Sequence, residues 1–476
     1  GIRDRSVSRW LGDVYKRQLI IVLFSVLMSG CTDRSKSEVG LTLIPPSTVT
    51  NQVKLDIRAG IRNTTEKNKS YKVAIYWDEE TETAMLHSTT ISLESGKSDC
   101  VKHVIPTQGR VGKHTVILVV EDGVNVYKMQ KPTEIIESSV RSTRKIDGSF
   151  VGFYHWSEQE GKMWNPTIKT LTDEQWKEVV TSMNKLDMNI VVIQESFRNQ
   201  KYVGAHNIDK EGYEGKAFYP SDLYPGRMPI TAQDPIEDVL AQADEEGMYV
   251  FMGVGMYAWF DYTEGSLEWH KKVAKELWEK YHHHPSFYGF YISEEGMGSL
   301  GCFEEDPAKK AIRQEEVLHF FKELKQYCSE FAPDKPIMFA PNGWGVSEAR
   351  DKYPILLQYV DIICPFAFAR MPENDLTGVE AVNLLQQFCD DADAHLWLDL
   401  EAFLFHEKEY YLIPRPIDEI KNDLYLFDNF EKVVCYQYPG VFNDPEMSVC
   451  IGEESTIQLF KEYKAYIDSL EQSSNN

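Results

Sequence analysis

Gly289-Phe290-Tyr291-Ile292-Ser293-Glu294-Glu295 is an aromatic, apolar stretch that runs directly into two adjacent carboxylates. Packing gives no reason for acidic side chains at the end of an apolar strand. At the carboxyl-terminal rim of a parallel barrel, however, such side chains do chemistry. The stretch therefore predicts a buried parallel strand that ends in a functional site.

Other apolar segments alternate with helical patterns around this strand. Together with the opening stretch, the predicted strands cover residues 150–155, 189–195, 248–255, 287–293, 336–341, 360–365, 395–401 and 433–438. Amphipathic helices are predicted from a capping box at 172–175 onward and at 235–246, 269–282, 313–330, 379–392, 417–429 and 455–470. This alternation over residues 146–472 matches an α/β fold of the closed (β/α)8 TIM-barrel type. A doubly wound sheet fits less well because no Gly-x-Gly-x-x-Gly turn follows the first strand.

Residues 49–140 follow a different pattern, with a period of two. Tyr71, Val73, Ile75 and Trp77 alternate with other residues, and turn-like clusters of Asn, Gly and Asp separate such runs. We predict a small immunoglobulin-like β-sandwich in front of the barrel. Trp77 could offer a stacking platform for a sugar, but its place on the alternating face favours the sandwich core.

The N-terminal segments are not expected to belong to either domain. Residues 1–18 resemble the in-frame translation of a sequencing adaptor and are set aside. Residues 19–31 form an apolar run, too short for a mature transmembrane helix, that ends in small residues before Cys31. This run resembles a bacterial lipoprotein signal, and an ordinary cleaved signal peptide is the alternative. Residues 32–48 are polar and patternless and are interpreted as a linker.

The lipoprotein resemblance implies a location and a membrane contact. Cys31 would be lipidated, and the exported protein would be anchored in a bacterial membrane, in the periplasm or at the cell surface. The membrane contact would be made through this lipid only.

Composition argues against several other classes of function. The formal net charge of -24, without a basic stripe interleaved with aromatic residues, disfavours nucleic-acid binding. The cysteines after Cys31 lack Cys-x-x-Cys spacing and predict neither a zinc site nor a disulfide framework. Three histidines at 282–284 precede the fourth strand, at the opposite end of the barrel from the rim, so no metal site is predicted. We also expect no cofactor, since no phosphate-binding loop is present.

Most of the predicted strand ends carry hydrogen-bonding or stacking side chains. Together they predict a polar bowl lined by aromatic residues, which suits a carbohydrate because hydroxyl groups need hydrogen bonds and sugar rings stack on aromatic faces. The predicted substrate-binding residues are His155, Trp156, Glu195, Arg198, Trp259, Asn342, Trp344, Asp399, Gln437 and Tyr438.

Glycoside hydrolysis needs two carboxyl groups, one to protonate the leaving oxygen and one to attack or to activate water. Strands four and seven offer them. Glu295 is the predicted general acid/base, and Glu401 is the predicted nucleophile, or the base if the mechanism inverts. Neighbouring side chains diverge in an extended strand, so only one of Glu294 and Glu295 faces the bowl, and Glu294 is the second candidate. Glu401 could instead pair structurally with an arginine such as Arg370.

The sequence Gly-Phe-Tyr-Ile-Ser-Glu-Glu, preceded by His284-Pro285-Ser286-Phe287, resembles the fourth-strand motif of retaining glycoside-hydrolase barrels. The order of lipoprotein signal, β-sandwich and barrel is similar to uncharacterised glycoside-hydrolase-like lipoproteins of Gram-negative bacteria, which are catalogued as domains of unknown function. This resemblance implies carbohydrate processing. Two functions are compatible with it: a glycoside hydrolase acting on an oligo- or polysaccharide, and a non-catalytic glycan-binding lipoprotein that uses the same rim.

Overall fold

The computed structural model describes residues 37–199 and 214–474, and its first strands form two sheets. The strands are β1 (Glu38–Ile44), β2 (Val49–Thr50), β3 (Lys54–Arg62), β4 (Lys69–Trp77), β5 (Met85–Leu93), β6 (Ser98–Pro106), β7 (Gly112–Glu121) and β8 (Val126–Ile136). One sheet has the order β1-β3-β6 and the other the order β2-β8-β7-β4-β5. Neighbouring strands are antiparallel, except for the parallel pair β2 and β8.

One apolar core lies between these sheets. It contains the alternating side chains Tyr71, Val73 and Ile75 of β4, together with residues from both sheets. Trp77 is buried in the same cluster, so its interpretation as a core residue is confirmed. The period-two pattern therefore arises from a sheet with one buried face.

The linker predicted at 32–48 is wrong where β1 begins, because Glu38–Ile44 is a strand of the first sheet. Its second half is buried without interruption. Leu41 and Leu43 pack in the sandwich core, while Thr42 donates a hydrogen bond to Asp334 of the barrel domain at 2.7 Å. A strand buried on both faces shows no alternation, which is why the sequence pattern missed it.

The remaining strands are β9 (Gly148–Val151), β10 (Ile190–Ile193), β11 (Phe197–Arg198), β12 (Lys216–Ala217), β13 (Tyr249–Gly253), β14 (Phe287–Gly296), β15 (Ile337–Pro341), β16 (Ile362–Ile363), β17 (His395–Glu401), β18 (Phe403–Phe405), β19 (Leu412–Pro414) and β20 (Lys432–Tyr436). A closed barrel of parallel strands joins β9, β10, β13, β14, β15, β16, β17 and β20. The predicted barrel is confirmed. Strands β11 and β12 pair antiparallel after the second barrel strand, and β18 and β19 form a short hairpin after the seventh.

Helices connect the barrel strands as predicted. They are α1 (Asn165–Ile168), α2 (Asp173–Asn184), α3 (Pro235–Glu246), α4 (Glu264–Tyr281), α5 (Pro307–Ser329), α6 (Tyr353–Leu356), α7 (Gly378–Ala392), α8 (Ile417–Leu426) and α9 (Glu454–Ser474). The capping box of α2 forms between Thr172 and Gln175. Helix α5 begins earlier than the apolar period indicates because Asp306 accepts hydrogen bonds from the backbone of Ala308 and Lys309, which caps a polar first turn.

The sandwich domain seals the base of the barrel, where the strands begin. Ile44 is fully buried among inward-facing barrel side chains such as Phe150 and Trp397. The hydroxyl of Tyr288 donates to the carbonyl of Leu43 at 2.6 Å. The end of β1 thus supplies part of the barrel's own core.

Buried charged groups also join the two domains at this base. Arg58 of β3 lies 2.8 Å from both Asp56 and Asp361, and Nδ1 of His395 lies 2.6 Å from Glu431. Burial opposes ionisation of Asp361, but the charges of Arg58 and Lys325 outweigh it and lower the pKa to about 2. Burial would lower the pKa of His395, but Glu431 and Asp56 raise it to about 9. These groups are charged because they are paired.

The adaptor-like segment, the signal-like segment and Cys31 lie outside the described residues. Within the described part of the chain, every cysteine is a free thiol and most are buried. No helix in residues 37–199 or 214–474 combines the length and the apolar composition of a membrane span.

Candidate active site

Strand β14 carries the opening stretch, and its alternation decides which carboxylate enters the barrel mouth. Tyr291 lies among the inward-facing residues of the barrel, whereas Ile292 packs in the outer core beneath the helices. Glu295 continues the face of Tyr291, and Glu294 continues the face of Ile292. One glutamate therefore points inward and the other points away.

Glu294 is fully buried outside the barrel mouth. Its Oε1 accepts hydrogen bonds from the backbone N–H groups of Tyr257 at 2.6 Å and Ala258 at 2.9 Å. Burial raises the pKa of this carboxyl well above its ordinary value. Its contacts hold the loop after the third barrel strand, and the structure gives it no place in the bowl.

Glu295 lies at the mouth and is held by a tryptophan. The indole Nε1 of Trp259 donates to its Oε2 at 2.6 Å. Burial raises the pKa of Glu295 to about 7, Glu401 and Glu160 add to the rise, and Trp259 and Arg370 oppose it. A carboxyl group with such a pKa exchanges its proton near neutral pH, which is what general acid/base catalysis requires.

Strand β17 brings Asp399 and Glu401 to the same face as Trp397, whose ring lies inside the barrel. Asp399 is buried, and its Oδ1 has no hydrogen-bond partner among the described residues. Burial raises the pKa of Asp399 well above its ordinary value, and the charges of Glu401 and Glu295 raise it further. Three carboxyl groups from two strands thus share one bowl.

Arg370 contacts Glu401, as the structural alternative predicted. Its Nε and Nη2 donate to Glu401 Oε1 at 2.8 and 2.7 Å. The guanidinium also lies 5.6 Å from the centre of the Trp344 ring. Glu401 therefore faces the mouth beside a permanent positive charge, and Trp344 supports the residue that provides it.

Glu195 and Arg198 follow the second barrel strand and contact each other. Both are buried, and Nη2 of Arg198 also donates to the carbonyl of Tyr154 at 2.7 Å. These two predicted ligands are therefore engaged with the protein itself. Their role toward a substrate stays a prediction.

His155 and Trp156 follow the first barrel strand. His155 is buried, and burial lowers its pKa to about 3, so the ring is neutral. Trp156 is 40% exposed, and its ring lies 6.0 Å from that of Trp259. The two tryptophans form one aromatic wall beside Glu295.

Tyr438 does not reach the bowl, and its prediction as a substrate ligand is wrong. It is buried outside the barrel, and its hydroxyl contacts that of Ser182 on α2. The physical reason is that β20 ends at Tyr436, two positions before the predicted end, so the strand alternation does not extend to Tyr438. Gln437 is buried, and its side-chain amide has no hydrogen-bond partner among the described residues.

The side chain of Asn342 is engaged in hydrogen bonds with the backbone of the protein. Its Oδ1 accepts from the backbone N–H of Trp344 at 3.1 Å and from that of Gly298 at 3.4 Å. These contacts join the loops after the fourth and fifth barrel strands. Asn342 fixes the loop that presents Trp344.

Two residues of the bowl were missed by the sequence analysis. Tyr436 lies against the inward-facing residues of the barrel, and alternation with Val434 would have indicated it. Glu160 lies in the loop after the first strand, and burial raises its pKa to about 7. No local pattern distinguishes Glu160 from a solvated loop residue, because distant parts of the chain bury it.

The histidine run lies at the start of β14, away from the mouth. Glu237, His283 and His284 place potential ligand atoms within 4.8 Å of one another. Both ring nitrogens of His284 already contact carboxylates, at 2.7 Å from Asp244 and 3.1 Å from Glu237. These ion pairs account for His284 without a metal.

The family of the protein follows from its barrel sequence. Residues 146–449 match a family described as Domain of unknown function (DUF4434). The chain belongs to the DUF4434 family. The matched range spans all eight barrel strands of this DUF4434 protein, with Glu295, Asp399 and Glu401 among them. No curated protein matches its sequence.

Solved structures similar to this DUF4434 protein include glycoside hydrolases. A protein designated an α-L-fucosidase from Bacteroides thetaiotaomicron has 14% identity and a TM-score of 0.47, over 69% of this chain and 98% of its own. β-Glucuronidase 2 of Bacteroides uniformis has 12% identity and a TM-score of 0.41, over 90% of this chain and 50% of its own. A β-galacturonidase from Eisenbergiella tayi has 11% identity and a TM-score of 0.39, over 90% of this chain and 72% of its own.

The DUF4434 chain thus spans about half the length of the β-glucuronidases that it matches. The match over residues 146–449 and the closed barrel confirm the prediction of an uncharacterised family with a barrel fold. What the matched enzymes act on does not transfer to this chain at such low identity. The function of this chain has to be inferred from its own carboxyl groups.

Proposed function

We propose that the protein is a glycoside hydrolase acting on an oligo- or polysaccharide. The observation that carries this proposal is the meeting of Glu295, Asp399 and Glu401 at the mouth of a closed barrel. Cleavage of an acetal requires one carboxyl group that holds a proton and a second that is charged. Burial raises the pKa of Glu295 to about 7, so a large share of this group holds its proton near neutral pH, and Arg370 gives Glu401 a cationic partner.

The geometry supports a division of roles between the two glutamates. Glu295 would give its proton to the glycosidic oxygen as the bond to the anomeric carbon breaks. The Trp259 hydrogen bond fixes Oε2, which orients the carboxyl group and leaves Oε1 for the leaving oxygen. Glu401 would attack the anomeric carbon, or take a proton from the attacking water. If Glu401 attacks, Glu295 then takes a proton from the water that hydrolyses the glycosyl ester, which frees Glu401 and restores the proton of Glu295. If Glu401 instead takes the proton of the attacking water, that water supplies the hydroxyl group of one product, and Glu401 loses and Glu295 regains a proton by exchange with solvent.

A second candidate function is glycan binding without cleavage. The contact between Arg370 and Glu401 favours it, because two N–H donors of one guanidinium on the same carboxylate oxygen reduce the nucleophilicity of that carboxylate. The same bowl would then capture a sugar for another protein.

A glycan panel separates these two functions. Purified protein is incubated with soluble xylan, mannan, arabinogalactan, pectin and host-type N-glycans, and both product release and binding are measured. We expect product from at least one glycan, lost in Glu295→Gln and Glu401→Gln variants that remain folded. Binding without product supports the second function. Full activity of either variant refutes the role of that glutamate.

We also propose that Cys31 is lipidated and anchors an exported protein to a bacterial membrane. The apolar run at 19–31 supports this, as it ends in small residues before the cysteine. Cys31→Ala should move the protein from the membrane fraction to the soluble fraction. Unchanged fractionation would contradict lipidation.

We infer that the N-terminal domain is immunoglobulin-like. The orders β1-β3-β6 and β8-β7-β4-β5 follow the A-B-E and G-F-C-C′ strand orders of such sandwiches. The short strand β2 runs parallel to β8 at the edge of the second sheet. An experimentally determined structure of the domain with another strand order would contradict the assignment.

A further inference from the structure

A row of aromatic side chains is exposed on the hairpin of β18 and β19. Phe405 is 43% exposed and Tyr410 is 68% exposed. The Phe405 ring lies 5.7 Å from that of Phe403 and 6.4 Å from that of Tyr410. We call these three residues the hairpin surface. Large aromatic groups placed side by side in water mark a binding surface more often than a structural one.

The hairpin surface borders the bowl. The hairpin follows β17 directly, so Phe403 lies two residues after Glu401. The Phe403 ring is 5.9 Å from that of Tyr436, which is 6.2 Å from that of His155. Aromatic contacts therefore continue from the hairpin into the bowl without a polar break.

A second aromatic wall lies across the mouth. Trp156 contacts Trp259 at 6.0 Å, and Trp259 contacts Phe303 at 6.3 Å. Trp259 follows the third strand of the barrel order and the hairpin follows the seventh. Strands four positions apart in a ring of eight face each other, so Trp259 and the hairpin lie on opposite sides of the mouth. Trp156 follows the first strand and connects them, since its ring lies 5.8 Å from that of His155.

The hairpin surface is fixed in place by contacts with the loop after the first barrel strand. Lys162 and Gln159 both contact Glu409, and the backbone N–H of Leu412 donates to the carbonyl of Glu160 at 3.0 Å. These contacts also explain the burial of Glu160. A surface held in this way loses little conformational freedom when it binds a ligand.

We propose that the hairpin surface is a second sugar-binding platform and that the substrate is an extended glycan chain cleaved at an internal bond. Sugar units on one side of that bond stack on Trp156, Trp259 and Phe303, and units on the other side stack on Phe403, Phe405 and Tyr410. This inference rests on the proposed function and names its substrate class. A substrate that reached only the carboxyl groups would leave the hairpin surface without a ligand.

The test measures how binding and cleavage depend on chain length. Labelled oligosaccharides, from disaccharide to octasaccharide, are prepared by partial hydrolysis of each polysaccharide of the panel. Dissociation constants are measured with Glu295→Gln protein, and kcat/KM with the otherwise unchanged enzyme. Replacing both Phe405 and Tyr410 by alanine should weaken octasaccharide binding about tenfold or more, while disaccharide binding changes less than about threefold.

Tyr425→Ala is the matched control, because Tyr425 is 47% exposed on α8 and stacks on Arg144 rather than on the bowl. It should change neither affinity. Phe405→Trp keeps an aromatic ring at this position, so this variant should keep the preference for long chains that the double alanine variant loses. An equal loss for long and short chains, or no length preference in the unchanged protein, overturns the platform. Length-dependent binding without any product supports the platform and contradicts only the hydrolase.

Discussion

The two ends of the barrel both bury ionisable groups, but they treat them in opposite ways. At the base, Arg58 lies 2.8 Å from Asp56 and from Asp361, and a charged histidine lies against Glu431. At the mouth, burial and the charges of Glu401 and Glu295 raise the pKa of Asp399 well above its ordinary value, and Glu295 has a pKa of about 7. The same residue types are stabilised as ions at one end and pushed toward their neutral form at the other.

This difference separates structural charges from chemical ones. A buried carboxylate with a good cationic partner holds elements together and titrates far from neutral pH. A buried carboxyl group without enough partners keeps its proton and can release it near neutral pH, at a cost in stability.

The largest effect is expected from Glu295→Gln. Loss of the proton donor should lower kcat about 10²- to 10⁴-fold, measured on a glycan that the unchanged protein cleaves. Glu294→Gln is the matched control on the same strand, because an amide oxygen can still accept from Tyr257 and Ala258. Its activity should stay within about threefold, and a loss as large as that of Glu295→Gln would contradict the assignment.

At the base, Arg58→Met should lower the free energy of unfolding by about 3–5 kcal/mol, since buried Asp56 loses its nearest cation and buried Asp361 keeps only Lys325. Urea denaturation measures this. Lys54→Met removes a pair with Asp393 whose side chains are both about half exposed, and it should cost less than about 1 kcal/mol. If Arg58→Met and Lys54→Met lowered the free energy of unfolding equally, burial of the Arg58 ion pairs would not add to the stability of the base.

The stability of the base should fall at alkaline pH through His395. Its pKa is raised from 6.5 to about 9, so its stabilising contribution is complete below pH 6.5 and is lost as the pH rises through 9. The loss should be about 1–3 kcal/mol, on the scale of 1.4 kcal/mol per unit of pKa. Urea midpoints from pH 6 to pH 10 report it, and His395→Gln should flatten the profile. If stability fell with pH equally steeply in His395→Gln, other ionisable groups would account for the loss of stability.

Activity should depend on pH through Glu295. The acid is active while protonated, so kcat/KM should fall about tenfold per pH unit above the pKa of about 7. Trp259 lowers this pKa through its hydrogen bond, so Trp259→Phe should move the falling limb to higher pH. Trp344→Phe, which leaves that hydrogen bond intact, should not move the limb. A shift toward lower pH in Trp259→Phe would contradict the role given to the indole.

The smallest effect is expected from Tyr438→Phe. The variant loses one buried hydroxyl contact with Ser182, which should cost about 1 kcal/mol of stability. Activity should not change, because the side chain lies outside the barrel. An activity loss without a stability loss would place Tyr438 in the bowl.

The barrel could be predicted from sequence because its strands are short, continuous apolar runs between amphipathic helices, which is what a sheet covered on both faces requires. Alternation also predicted that only one of Glu294 and Glu295 faces the bowl, but the structure was needed to show that Glu295 is the one. The error at Tyr438 arose at a strand end, where alternation stops. The strand β1 was missed because both of its faces are buried, so it carries no polar period.

Glu160 shows a different limit of sequence reasoning. Its burial depends on the hairpin around Glu409 and Leu412, far along the chain, and no local pattern encodes that contact. Arg370 could be named as a partner of Glu401, but its distance could not. The contacts that set a pKa are tertiary. The sequence can therefore identify candidate acidic residues, but it cannot predict which of them has a raised pKa.

The position of Ile44 has a consequence for how the protein can be divided. The family match begins at residue 146, yet an aliphatic side chain from the other domain completes the floor of the barrel. A fragment that starts at the family boundary would lack Ile44 and expose apolar side chains of the barrel floor such as Phe150, Tyr288 and Trp397, and it would leave Asp361 with Lys325 but without Arg58. The unit that folds is therefore larger than the unit that defines the family.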